Sequence, residues 1–222
     1  ASPGRDALAA MFWGDRAEEQ ARMSLRQALS ARRKALGKHA NTLGANVHEV
    51  WLTPGTFDTD VAGFESLVRD GATASLAQAA RLYRGPLLEN IQTRCPGFDD
   101  WLDEERQRLR NLATDAFFHG ARKAEDVSDW ALAGQFCTQI LRIDPFFEDA
   151  MRCHMRVAAM SGRRADALSG YEAFSTLLRR EFGILPQEET TALSAEIRAG
   201  SLVAVKPGLD PLPDFPLPDA GP

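Results

Sequence analysis

Arg22, Arg26 and Arg33 fall within a sector about 40° wide when residues 18–36 are wound as a helix, with Ser30, Lys34 and Gln27 continuing round the same side. Guanidinium groups offer paired donors to guanine edges and clamps for phosphate oxygens, and hydroxyl and amide side chains add adaptable hydrogen bonds. Such a row could read duplex DNA in its major groove. The same residue types also make an ordinary solvated helix face.

Other groupings point away from catalysis. Asp99, Asp100, Asp103, Glu104 and Glu105 form a carboxylate cluster that could be imagined as acid/base or metal machinery. Their place in the first turns of a long helix has a simpler cause, since the helix dipole stabilises negative charge there. His39, His48, His119 and His154 are scattered without ligand spacing. Neither a Gly-rich phosphate loop with its lysine nor a Gly-x-Ser-x-Gly elbow occurs. No catalytic residue, cofactor site or metal site is expected, and the chain does not read as an enzyme. Cys95, Cys137 and Cys153 are odd in number and include no Cys-x-x-Cys pair, so they read as buried apolar thiols rather than a disulfide framework or zinc site. Neighbours on a helix point about 100° apart, so Cys153 and His154 do not easily share an ion.

The elements that carry these residues follow from periodicity. Leu8, Met11 and Phe12 mark a short amphipathic helix over about 4–13, ended by Gly14-Asp15. The basic helix spans about 18–36 and stops at Gly37. Its adjoining apolar sector holds Ala21, Leu25, Ala28, Leu29 and Leu36, with Arg32 projecting into the middle, where a lone guanidinium is costly to bury. Residues 41–57 read as a hairpin, Val50 and Leu52 on one face and Val47 and Trp51 on the other, with turn signals at Gly44 to Asn46 and at Pro54-Gly55.

From Thr59 onward nearly everything reads as helix, over 59–70, 73–83, 98–122, 128–142, 147–161, 163–182 and 188–199. Gly85-Pro86, Pro96-Gly97, Asp144-Pro145, Gly162, Gly183 and Pro186 fall between the runs. In the longest helix Phe98, Trp101, Leu102, Leu109, Leu112, Ala116 and Phe117 keep to one stripe. Ala133, Ile140 and Pro145 have the spacing of a tetratricopeptide repeat's second helix and closing proline. Ala167, Tyr171 and Phe174, after Gly162, repeat the earlier part of that pattern, with Arg179 where the second proline would stand. Stacked helix pairs of that kind leave a groove suited to proteins or peptides; an ordinary helical bundle is the alternative.

The 222 residues carry a net charge of −5. Residues 1–50 hold eight Lys/Arg against five Asp/Glu, and the remainder 18 against 26. A basic head before an acidic body hints at a local polyanion contact. No apolar run approaches a bilayer span and the N-terminus has no secretory core, so a cytoplasmic protein without membrane partners is expected. After Gly200 come Pro207, Pro211, Pro213, Pro216, Pro218 and Pro222, which read as an extended linker or disordered tail.

Two stretches carry a family resemblance. Gly4 to Asp15, Ala21 to Ser30 and Arg33 to Gly37 resemble the later half of the response-regulator type of winged helix, in the version found in the SARP group of bacterial antibiotic-regulatory activators. Asp60, Phe64-Glu65, Leu82 to Leu88, Trp101 to Arg106, Gly162 to Leu168 and Leu178 to Gly183 are similar, in order, to landmarks of that group's bacterial transcriptional activator domain. The resemblance implies that 18–36 is a recognition helix whose Arg22, Arg26, Ser30, Arg33 and Lys34 approach double-stranded DNA, and that 41–57 is the wing. It also implies that the helical domain serves self-association or contact with the transcription machinery. The family's N-terminal strands and first helix have no counterpart, and Arg32 stands where leucine is usual. The expected architecture is therefore mainly α: a partial winged helix of two helices plus a β-hairpin wing over 1–58, a tetratricopeptide-like activator domain over 59–200, and a Pro-rich tail over 201–222. The expected function is DNA-binding transcriptional activation, with a helical-repeat domain for protein interaction or oligomerisation. The alternative is an interaction module of a multidomain signalling protein without DNA binding.

Overall fold

The structure, a computed structural model, describes residues 3–202; the expected Pro-rich tail lies almost wholly outside the described residues. The chain forms two compact units, one of residues up to Gly63 together with Pro86–Leu109, the other of Phe64–Gly85 together with residues from Arg110 onward. It is mainly helical, and its one described sheet is a two-stranded hairpin.

In the first unit, α1 (Arg5–Trp13) and α2 (Glu18–Leu36) pack through Ala9, Ala21 and Leu25, with Leu8, Trp13 and Leu29 at the margin. Only the first half of α2 is packed in this way. Leu36 is 38% exposed, and Arg32 is exposed as well. The expected apolar face thus stops short, and the cost expected for burying Arg32 does not arise. Gly37 ends α2 with φ 53° and ψ −118°, a combination glycine tolerates because it has no Cβ. A 3-10 turn, Gly37–Thr42, leads into β1 (Leu43–Ala45), which pairs antiparallel with β2 (Val50–Leu52).

The hairpin differs from expectation in its turn. Gly44 is not a turn residue but sits in β1 opposite Trp51, and a Cβ there would lie 2.2 Å from the indole ring. Asn46 to Glu49 make the turn, with Asn46 Oδ1 accepting from the amides of His48 and Glu49. Val47 therefore lies on the turn and is 81% exposed instead of facing inward from a strand. An asparagine closing its own turn accounts for the shift.

α3 (Asp60–Asp70) and α4 (Thr73–Leu82) precede a run of turns, then α5 (Pro96–Asp126). Pro96 begins α5 instead of separating elements, since the first turn does not need its missing N–H. Trp101 lies at the edge of the expected stripe, 40% exposed, its ring 5.5 Å from Phe98. Three of the five carboxylates at this end are taken up locally. Asp99 accepts from Thr93 Oγ1 at 2.7 Å, Asp103 pairs with Arg106, and Glu105 pairs with Arg108, whose guanidinium holds that carboxyl below its usual range.

The second unit is built on α6 (Trp130–Ile143), α7 (Glu148–Met160), α8 (Arg164–Phe182) and α9 (Glu188–Ala199). Short turns at 144–147 and 161–163 fold successive helices back on one another, giving tetratricopeptide-like pairs. Of the residues that suggested the repeat, Ala133, Ile140, Ala167 and Phe174 are buried, whereas Pro145 and Tyr171 are half-buried. α8 continues through Arg179 to Phe182, because no proline stops it there, and Gly183 closes it in the left-handed conformation. α7 buries eight of its 13 residues, as its contacts with α6, α8 and α9 require, and keeps Arg152 and Arg156 on its remaining side. Phe117, Phe136, Phe174, Met151 and Met155 fill the centre. Cys137 and Cys153 are fully buried, whereas Cys95 is only half-buried, a departure from the expectation for all three.

Candidate nucleic-acid interface

α2 meets both requirements of a helix that must present one face while standing on the other. Ala21 and Leu25 anchor it, and Glu18 and Glu19 at its start with Arg33 and Lys34 at its end complement the helix dipole. The six expected site residues then divide into two groups.

Arg26, Gln27, Ser30 and Lys34 are exposed and engage nothing else among the described residues. At 100° per residue they occupy a sector roughly 100° wide, about the width a groove-facing side needs. Arg22 and Arg33 are engaged within the chain. Arg22 Nε lies 2.8 Å from Asp6 Oδ1 and its Nη2 lies 2.6 Å from Glu18 Oε1. The hydrogen bond from Arg22 holds the Asp6 carboxyl below its ordinary range, and Asp6 in turn raises Arg22. Arg33 Nε donates to the Leu43 carbonyl at 2.9 Å in a partly buried contact, which braces the end of α2 against β1. One face of arginines thus serves two purposes, and only the free sector has its full hydrogen-bonding capacity available.

Spacing alone did not mark two further arrangements. In the first unit Arg106 donates from Nε to the Leu87 carbonyl and from Nη2 to the Leu88 carbonyl, each at 2.8 Å, fixing a turn in which Leu88 takes φ 50°. Two sequence landmarks, Leu82 to Leu88 and Trp101 to Arg106, are joined by that arginine. In the second unit a groove of about 180 Å³ runs between α4 and α6. Ala77, Ala80, Leu132 and Phe136 line it together with Gln135, Thr138, Gln139, Arg81 and Arg142. Neither arginine has an ion-pair partner among the described residues. The groove is below the ~300 Å³ of a usual cofactor pocket. Among the described residues no three His, Cys, Asp or Glu side chains converge as metal ligands, and no helix is long and apolar enough to cross a membrane.

Along the chain, a two-helix and hairpin head with a solvent-facing basic sector is followed by paired helices of the tetratricopeptide-like kind. The family model described as "Bacterial transcriptional activator domain" matches residues 59–198, and the chain belongs to that family. This is a family of transcription regulators rather than enzymes. Mycobacterium tuberculosis EmbR, solved in complex with a low-affinity phosphopeptide, has a similar structure, with a TM-score of 0.60 and 22% identity over 95% of this chain. At that identity the likeness concerns the fold. The chain spans 56% of that protein's length. No curated protein matches.

Proposed function

We propose that this chain belongs to a cytoplasmic bacterial transcriptional activator of the SARP type, in which residues 1–58 bind double-stranded DNA and residues 59–200 form a scaffold for protein partners. The observation that carries this reading is the free sector of α2: Arg26, Gln27, Ser30 and Lys34 point to solvent while Arg33 ties the helix to the adjoining hairpin. In this reading Arg26 and Lys34 meet base edges or phosphates, and Gln27 and Ser30 supply hydrogen bonds beside them. Arg22 and Arg33 hold the helix in place and use their remaining donors on the backbone. The hairpin acts as the wing.

The scaffold serves the transcription machinery or a second copy of the chain. The groove beside Arg81 and Arg142 supports the first of these, because two guanidiniums with no ion-pair partner among the described residues, beside a floor that mixes Ala77, Ala80, Leu132 and Phe136 with Gln135 and Gln139, suit an acidic segment carrying one small apolar anchor.

Titrating a fluorescent mixed-sequence duplex with the chain tests the reading. Binding that weakens steeply with salt, and weakens further with Arg26→Ala, is the expected result. Absence of binding at low salt favours the interaction module without DNA binding, to which the Arg22–Asp6–Glu18 network lends support by drawing one arginine inward.

A further inference from the structure

Cys137 on α6 and Cys153 on α7 are fully buried free thiols whose sulfurs lie 2.6 Å apart. That separation is only about 0.6 Å longer than a disulfide bond of about 2.05 Å. The two helices pack directly on one another, so little backbone movement is needed to close the gap. Just beside the sulfurs, Arg156 Nε and Nη2 reach Glu125 Oε1 and Oε2 at 3.1 and 3.3 Å, so a charged pair borders the thiols on the α5 side.

We propose that Cys137 and Cys153 form a reversible redox site, closing to an intramolecular disulfide that staples α6 to α7 when the protein meets a peroxide. In the first step hydrogen peroxide oxidises one thiolate to a sulfenic acid and releases hydroxide. The second thiolate then attacks the sulfenic sulfur, the S–S bond forms, and hydroxide leaves as water once protonated. Overall, two thiols and one peroxide give one disulfide and two waters. A dithiol reductant reverses it by exchange.

Burial sets the rate. Desolvation and the neighbouring sulfur push the Cys137 thiol well above its ordinary range, and both sulfurs are shut away from solvent, so oxidation proceeds through transient separation of α6 from α7. The site therefore reports on opening of this helix pair as well as on oxidant. The residue Cys95, half-buried before α5, is not part of it.

The test uses the full chain carrying Cys95→Ser, which leaves the two buried thiols as the only ones. The folded protein is incubated with hydrogen peroxide, quenched, denatured in excess iodoacetamide and weighed intact. The expected result is a mass lower by two hydrogens with no alkyl label, a peptide joining residues 137 and 153 after digestion, and two labels again after dithiothreitol. A higher melting midpoint for the oxidised form is expected alongside. In Cys95→Ser chains that also carry Cys137→Ala, peroxide should give no such loss, and Cys153 should over-oxidise or take one label. Two labels after peroxide treatment of the folded chain would overturn the proposal. So would a disulfide obtained only by refolding from denaturant in oxidant, or sulfinic acid at either position without the cross-link.

Discussion

His154 is the clearest case of a single side chain whose surroundings dictate its chemistry. Burial in α7, reinforced by the nearby Arg163 charge and partly opposed by Asp166, lowers its pKa to about 4, so it stays neutral through the physiological range. An unfolded histidine titrates near pH 6.5, so the unfolded chain binds the extra proton first as pH falls. The stability associated with neutral His154 is present in full above about pH 6.5 and is lost between there and pH 4. The loss amounts to about 3 kcal/mol for a shift of this size. Urea midpoints of the chain and of His154→Leu across pH 4–7 check this, with the variant expected to have a shallower acid limb; identical slopes would contradict it. Gly44 is a second case. Placing a Cβ 2.2 Å from the Trp51 indole forces the hairpin to move, so Gly44→Ala should lower unfolding free energy by about 1–3 kcal/mol in denaturant titrations. Sequence placed Gly44 in a turn, because glycine advertises turns more often than it advertises a ring packed across a strand pair. The pairing of Cys137 with Cys153 was equally invisible, since a separation along the chain carries no signal when the partners meet through helix packing.

Elements were far more legible than contacts. The helices from α6 to α9 lie within two residues of their expected bounds, because glycine, proline and the 3.6-residue apolar period all mark the same places. Ala167, one of the expected repeat positions, is fully buried, so Ala167→Leu should overpack α8 and cost about 1–3 kcal/mol, read from the thermal midpoint. In α2 the period located the helix but could not say how far its apolar face would be covered. Leu36 and Arg32 are exposed because packing reaches only the first half. The basic residues likewise share a sector without sharing a role. Arg33→Ala should lower stability by about 1 kcal/mol through the lost bond to the hairpin and weaken DNA binding as well. Arg26→Ala and Lys34→Ala should leave stability within about 0.5 kcal/mol while weakening binding by about 1–3 kcal/mol wherever a base edge is read. Paired denaturation and binding curves separate the two behaviours, and equal stability losses for all three would contradict the division.

At the scale of the whole molecule the charge asymmetry and the family agree. A head with an excess of positive charge precedes a body with an excess of negative charge. Family membership rests on the helical body, and the likeness to EmbR concerns the fold. The landmarks that made the family visible in sequence have structural reasons here: Arg106 holds the Leu87 and Leu88 carbonyls, and Gly183 closes α8. The groove beside Arg81 and Arg142 escaped sequence reasoning because α4 and α6 are far apart in the chain and neither arginine belongs to a periodic pattern with the other. The claim that most needs testing is that the free sector of α2 contacts DNA. The most direct measurement is the slope of the logarithm of the binding constant against the logarithm of salt concentration, for the chain and for a double Arg26→Ala, Lys34→Ala variant on the same duplex. The expected result is a steep negative slope, with weaker binding by the variant and a slope shallower by about one for each of the two side chains that meets a phosphate. Affinity and slope both unchanged by the double substitution, or no binding by the parent chain at low salt, would contradict contact of this sector with DNA.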